Sequence, residues 1–312
     1  MSNVLAVFGA TGQQGRSVID FVLNDAELSQ QYSIRAITRD VNSERAKELK
    51  KMVEVVEGDA QDRSSIEKVL TGAHTVFAMT APVFGPDSLK IEYECGKTIG
   101  DVAVEQGVRH IIFSTLPAVR ENSGGKYTGA FAFDAKAKAE RYIRGLNIKS
   151  TIYAPGWFME NFHVLPFLNP RKAPDGSWVL VRPISSKTRF PYIRVATDTG
   201  KFIGAILAEP EKYEGKKIFA AEGYYSLDET VALLSKVSGK KVVFKQVSVE
   251  EFKETIPPVV ADFFADVMRH EEEYGILGPE SEDLAAWAAE NARGGKLSTF
   301  EEYFEAHPLQ LE

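Results

Sequence analysis

The chain has 312 residues, 44% hydrophobic and 26% charged, the balance of an ordinary globular protein with room for one large domain or two modest ones, and this excludes extended disorder. Lys and Arg number 37 against 44 Asp and Glu, a formal net charge of −7, which argues against direct binding of nucleic acid or of an anionic membrane surface. Cys95 is the single cysteine, so an intrachain disulfide and any multi-cysteine zinc site are excluded, and a reducing compartment, by default the cytosol, is expected.

The N-terminus, MSNVLAVFGATG, reads as a buried strand entering a glycine turn rather than as a signal peptide. No apolar stretch is long enough to span a bilayer. Predicted strands follow at NVLAVF (3–8), SIRAIT (33–38), VEVVEG (53–58), TVFAMT (75–80), HIIFST (110–115) and KSTIYA (149–154). Between them apolar residues recur at helical spacing, as at Val18, Phe21 and Val22, then at Ile66, Val69 and Leu70. This alternation predicts an α/β fold, a doubly wound parallel sheet with helices on both faces, over residues 1–154. Beyond residue 155 the rhythm changes, and residues 155–312 are expected to form a smaller α/β region, some of whose strands return to the main sheet. There, Ser226 with Glu229, Ser248 with Glu251 and Ser298 with Glu301 have capping-box spacing, and Gly239 is a stop signal, so the tail reads as structured helix.

The first turn, VFGATGQQGR, carries Gly9, Gly12 and Gly15 between a strand and an amphipathic helix. In that context the helix N-terminus offers unpaired N–H groups and a partial positive charge to a pyrophosphate. Gly9 permits the tight turn, Gly12 lets the backbone approach phosphates, and Gly15 lets the helix pack on the strand. Thr11 and Gln13 add polar groups. At the end of the second strand, where an acidic residue would favour NAD(H), stand Thr38 and Arg39; Arg39 suits a 2′-phosphate, with Arg45 or Lys47 adding charge, so NADP(H) is the expected cofactor. Asp40 leaves NAD(H) open if it, rather than Arg39, faces the ribose. Asp59 and Ala60 follow the third strand, beside the expected adenine position, where Asp59 could equally be a plain turn aspartate. Thr80, Ala81 and Pro82 follow the fourth strand on the switch-point side.

GATGQQG, TRDVNSERAKELKK, VEGDAQD, the FDAK of residues 133–136, APGWFMENF (154–162) and RKAPDGSW (171–178) together resemble the NmrA-like family of atypical short-chain dehydrogenases/reductases, over nearly the whole chain. Members resemble either NADP(H)-responsive regulators, including the fungal nitrogen-metabolite repression regulator and its animal redox-sensor relative, or NADPH-dependent reductases of specialised metabolism. The resemblance implies that Gly9, Thr11, Gly12, Gln13, Gln14 and Gly15 hold the pyrophosphate and Arg39 the 2′-phosphate. It places Lys136 near the nicotinamide ribose, with Pro155, Gly156, Trp157 and Phe158 lining the nicotinamide end. Ala154 departs from the Leu or Arg that relatives often carry before the proline.

Typical dehydrogenases of this superfamily place a Tyr four residues before a Lys, so that the lysine lowers the phenol pKa. Here Ala132 stands four before Lys136, and Asp134 four before Lys138. The candidate catalytic residues are therefore Lys136 as acid, base or ribose ligand, Ser114 as a substrate hydrogen-bond donor or merely a turn cap, and Tyr127 swinging in from what reads as a mobile loop, ENSGGKYTGA. Phe84, Trp157 and Phe158 form an expected aromatic substrate pocket for a flat, apolar ligand, whereas Phe162 and Phe167 read as core. The histidines have no ligand spacing, so no metal site is proposed. An NADPH-dependent oxidoreductase acting on an apolar small molecule is the first expectation. A non-catalytic NADP(H) sensor that binds a transcription factor, with the acidic stretch 269–287 as a partner surface or a solvated face and a nuclear address added, is the second.

Overall fold

The structure, a computed structural model, describes residues 2–83, 87–278 and 280–311. Six strands, β1 (Asn3–Val7), β2 (Tyr32–Thr38), β3 (Glu54–Glu57), β4 (Thr75–Ala78), β5 (His110–Ser114) and β6 (Lys149–Pro155), fall where the alternating sequence puts them. Shorter strands follow: β7 (Trp157–Phe158), β8 (Arg171–Lys172), β9 (Trp178–Arg182), β10 (Arg189–Ile193), β11 (Lys217–Ala220), β12 (Gly223–Ser226) and β13 (Val242–Gln246).

The main sheet is parallel throughout and runs β11-β6-β5-β4-β1-β2-β3. Strand order reverses between β1 and β4, the switch point at which doubly wound sheets open a crevice. Alternating residues feed two cores: Leu5, Val7, Phe77, Ile112 and Tyr153 face one layer, and Ala6, Val76, Ile111, Phe113 and Ile152 the other. Burial on both faces is why β5 reads HIIFS with no polar alternation.

On the first face α1 (Gln13–Asn24) is clamped by the helix Val195–Ala208. A Cβ on Gly200 would lie 2.4 Å from the Ser17 carbonyl oxygen, and one on Gly204 would lie 2.2 Å from the Phe21 ring. Two small residues at i and i+4 therefore let these helices touch backbone to backbone, and Gly200 N–H donates to Ser17 Oγ at 2.9 Å.

Two three-stranded sheets, β12-β10-β7 and β13-β9-β8, complete the chain. Around them lies an aromatic core in which Phe162, 6% exposed, meets Phe300 and Phe304 of the helix Phe300–Ala306 edge-on. The capping boxes at Ser226 with Glu229 and Ser248 with Glu251 form as expected, and Gly239 ends its helix in the left-handed region (φ 64). The third box is corrected by one residue: Thr299 and Glu302 close it, not Ser298 and Glu301. Ser298 N–H is bonded instead to the buried Asp198 carboxylate at 2.9 Å, and Glu301 pairs with Lys236, so tertiary partners remove both residues from the cap. Among the described residues no helix is long and apolar enough to cross a membrane.

Candidate functional site

The turn after β1 is built around three absent side chains. Gly9 has φ +65°, and a Cβ there would sit 2.7 Å from Met79 Sδ; a Cβ on Gly15 would sit 2.4 Å from the Gly9 carbonyl oxygen. At Gly12 the same atom would meet only Gly9 O, at 3.2 Å, so its other side is open. Gly12 N-caps α1 without a side-chain hydrogen bond, and no acidic residue stands in the first turn. The Gly12 N–H returns to Gly9 O at 2.9 Å, and the ladder starts with Arg16 N–H on Gly12 O at 3.0 Å. The N–H groups of Gln13, Gln14 and Gly15 are left without a partner among the described residues, which is the donor set an anion takes at a helix N-terminus.

The neighbouring strand ends bring further groups to this side. Arg39 is exposed and makes no hydrogen bond or ion pair among the described residues. Asp40 Oδ1 accepts Asn42 N–H at 2.8 Å, which ties its carboxylate into the turn. Arg45 Nη1 donates to Thr11 O at 3.3 Å, whereas Lys47 pairs with Glu44. Asp59 also serves a turn, accepting Gln61 N–H at 3.0 Å while its own N–H reaches Ser65 Oγ, and Ala60 packs on the adjoining core. Ala81 and Pro82 are exposed beyond β4; Phe84 lies outside the described residues.

Lys136, on the helix Phe131–Arg144, is 7% exposed. Its Nζ donates to Thr80 O at 2.6 Å, to Thr80 Oγ1 at 2.7 Å and to Glu92 Oε1, and Thr80 Oγ1 itself donates to Glu92 at 2.8 Å. Those bonds use all three hydrogens of an ammonium. Burial lowers the lysine's proton affinity, while the charge of Glu92 opposes that shift. Ser114, 3% exposed, donates to Gln14 Oε1 at 2.8 Å, so two expected site residues hold each other across the end of the sheet.

Tyr127 does not ride on a swinging loop. It is fully buried beside Val119, Ala130 and Val267, and its hydroxyl donates to Glu273 Oε1 at 2.7 Å. Lys126 binds the same carboxylate, and the N–H groups of Thr128 and Gly129 bind Asp266. A segment that reads as loop is pinned by the distant helix Pro258–Tyr274. That helix also ties down part of the acidic run 269–287, since Glu272 accepts from Ser185 N–H and Glu273 from the Tyr127 hydroxyl.

At the far end, Gly156 is buried where a Cβ would lie 2.6 Å from the Pro191 carbonyl oxygen, and Pro155 closes β6. Ala154, which departs from the common pattern, packs in an apolar cluster with Phe219 and Ala221. Trp157 and Phe158, both half-buried, line a cavity of about 30 Å³.

The model of the NmrA-like family matches residues 1–304. The chain belongs to the NmrA-like family. It is 30% identical to an NmrA-like family domain-containing protein of Dictyostelium discoideum, an alignment covering 100% of both chains. It is 32% identical to an NmrA-like family domain-containing oxidoreductase of Aspergillus campestris, covering 81% of this chain and 78% of the relative. The fold is shared with the crystal structure of NmrA, a negative transcriptional regulator in complex with NADP (TM-score 0.77, 22% identity, 99% and 98% coverage).

Two acidic residues of this NmrA-like chain escaped the sequence reading. Glu92 sits on the buried stripe of the helix Ser88–Glu105 with Ser88, Cys95, Gly96 and Ile99, and a carboxylate on an apolar helix face was the available signal. Its Oε2 is buried without a partner among the described residues. Glu271, 5% exposed, lies beside the Trp157 indole, whose buried N–H completes no hydrogen bond of good geometry. Burial raises its pKa to about 8 from an ordinary 4.5.

Removing one member of the Lys136–Glu92 pair strands the other, so Glu92→Leu should cost about 3–5 kcal/mol. The Glu92→Leu, Lys136→Met double variant should recover most of that loss in urea denaturation. For Glu271 the raised pKa means that the unfolded chain ionises first. Its own contribution to stability should be highest below pH 4.5, fall between there and pH 8 by up to about 1.4 kcal/mol per pH unit, and then level off. Glu271→Gln should flatten that slope, gaining stability at pH 8 and none below pH 4.5.

Proposed function

We propose that the chain binds NADP(H) and works as an NADPH-dependent oxidoreductase on an apolar small molecule. The observation that carries the binding is the first turn of α1: three unpartnered N–H groups, no acid among them and a backbone shaped by three glycines suit a pyrophosphate. The free guanidinium of Arg39, with Asp40 tied into its own turn, favours a 2′-phosphate over a bare ribose. Relatives named as oxidoreductases support turnover. A reduced nicotinamide, when bound, supplies the hydride.

The chain's own residues then bind and orient. Gln13, Gln14 and Gly15 would hold the pyrophosphate, with Thr11 beside them. Asp59 and Ala60 would border the adenine, and Thr80, Ala81 and Pro82 the switch-point side. Pro155, Gly156, Trp157 and Phe158 would wall the nicotinamide end, the last two facing substrate. Lys136 fixes the Thr80 loop from inside, and we assign to it the proton that accompanies the hydride, because burial weakens its hold on that proton. One of its three internal bonds has to open for that transfer.

A second reading has its own support. Lys136, Ser114 and Tyr127 are each engaged inside the protein, with Glu92, Gln14 and Glu273. A cofactor-binding regulator that captures a transcription factor needs no free proton donor. The matched structure of a negative transcriptional regulator with NADP is consistent with that role.

Calorimetry with Arg39→Glu tests the cofactor: the preference for NADPH over NADH should fall by about thirtyfold, near 2 kcal/mol. An unchanged preference removes Arg39 from the site. For turnover, NADPH consumption is followed over a panel of hydrophobic ketones, enals and imines. Steady turnover that disappears in Lys136→Ala, with NADPH still bound, is the expected result; NADPH-dependent capture of a transcription factor without turnover would transfer the assignment to the sensor.

A further inference from the structure

Only two cationic side chains among the described residues are buried, Lys136 and Arg182. Lys136 has Glu92. Arg182, the last residue of β9 and 7% exposed, has no carboxylate within ion-pair distance among the described residues. Its Nη1 donates to Val181 O and its Nη2 to Leu168 O, both at 2.7 Å. Two carbonyls restore hydrogen bonds but not charge, and they leave three of the five guanidinium N–H groups without an acceptor among the described residues. The charged or titratable neighbours that act on it are the Tyr192 phenol and Arg171, and the second is of like sign.

Taking an unpaired guanidinium out of water costs several kcal/mol. Other buried charges of this fold avoid that cost: Asp198 lies 3.0 Å from Lys201, Glu140 binds Arg144 and Lys217, and Glu160 accepts the N–H groups of Val195 and Ala196. The exception lines a cavity. Arg182 shares its wall with Trp157, Phe158, Phe162, Tyr192 and Asn161, and the Asn161 carboxamide makes no hydrogen bond among the described residues. The cavity, about 30 Å³, has room for a small head group but not for a whole ligand. Around it are flat aromatic faces and hydrogen-bond donors, with no lining carboxylate.

We infer that this cavity is the head-group pocket of an aromatic carboxylate, and that Arg182 supplies its counter-charge. The planar fork of a guanidinium matches a carboxylate through two parallel N–H···O bonds, and the ring of such a ligand would rest against the aromatic wall at the cavity mouth. This rests on the reading that Trp157 and Phe158 border the substrate, and it narrows the substrate class from apolar to aromatic and acidic.

Benzoate and its uncharged isostere benzamide are titrated into the full-length protein by calorimetry, with and without saturating NADPH. Benzoate should bind at least about tenfold more tightly, near 1.4 kcal/mol. Arg182→Met, which keeps an unbranched apolar stem and removes the guanidinium with its charge, should bring the two probes to parity while NADPH binding is unchanged. Equal or absent binding of both probes to the unsubstituted protein overturns the inference without any variant having to fold. So does a benzoate preference that survives Arg182→Met. Benzoate preference in a protein that fails to bind NADPH would overturn the cofactor reading and leave the anion pocket standing; NADPH binding with no benzoate preference would do the reverse.

Discussion

The carbonyl oxygen of Gly9 lies 2.4 Å from where a side chain on Gly15 would begin. Only a residue without Cβ at that position lets α1 start directly over the carboxyl end of β1, and the open first turn with its unpartnered N–H groups depends on that approach. From the other side, Gly200 and Gly204 let the helix Val195–Ala208 press against Ser17 and Phe21. The first turn of α1 is thus held between a strand end and a second helix, and its N–H groups are aimed by packing rather than by a cap. A serine or aspartate at the N-cap would have used one of those donors. Gly12 leaves them free.

Around this turn the candidate side chains are supported from inside the protein. Ser114 holds Gln14, and Lys136 holds both the hydroxyl and the main chain of Thr80 while Glu92 balances its charge. Such a network is rigid because each member is the hydrogen-bond partner of another, and loss of one leaves a buried group unsatisfied. The same rigidity separates the two functional readings. A hydride donor needs only to be positioned, whereas a proton donor has to let go of something.

The two buried cations show how differently a fold can treat the same charge. Lys136 is neutralised by a neighbouring helix and holds the Thr80 segment in place. Arg182 is held by two main-chain carbonyls beside an aromatic cavity and has no acid of its own. Glu271, beside Trp157, has its carboxyl pKa raised by burial and makes no ion pair with Arg182 among the described residues. An aromatic lining thus stands beside a buried cation that no carboxylate balances among the described residues.

Much of this was legible in the residues themselves. Short apolar runs at β1 to β6, helical spacing at Val18 and Val22, and glycines at 9, 12 and 15 are local patterns, and local patterns are what steric and hydrophobic rules act on first. The boxes at Ser226 and Ser248 were legible for the same reason. What tertiary structure decided were the partners that lie far away in sequence: Asp198 shifting the last cap from Ser298 to Thr299, Glu273 and Asp266 pinning the stretch around Tyr127, Glu92 meeting Lys136, and Arg182 left without an acid. A side chain's charge can be read from the sequence, but whether that charge is compensated depends on which elements the fold brings within a few ångströms, and no spacing along the chain encodes that distance.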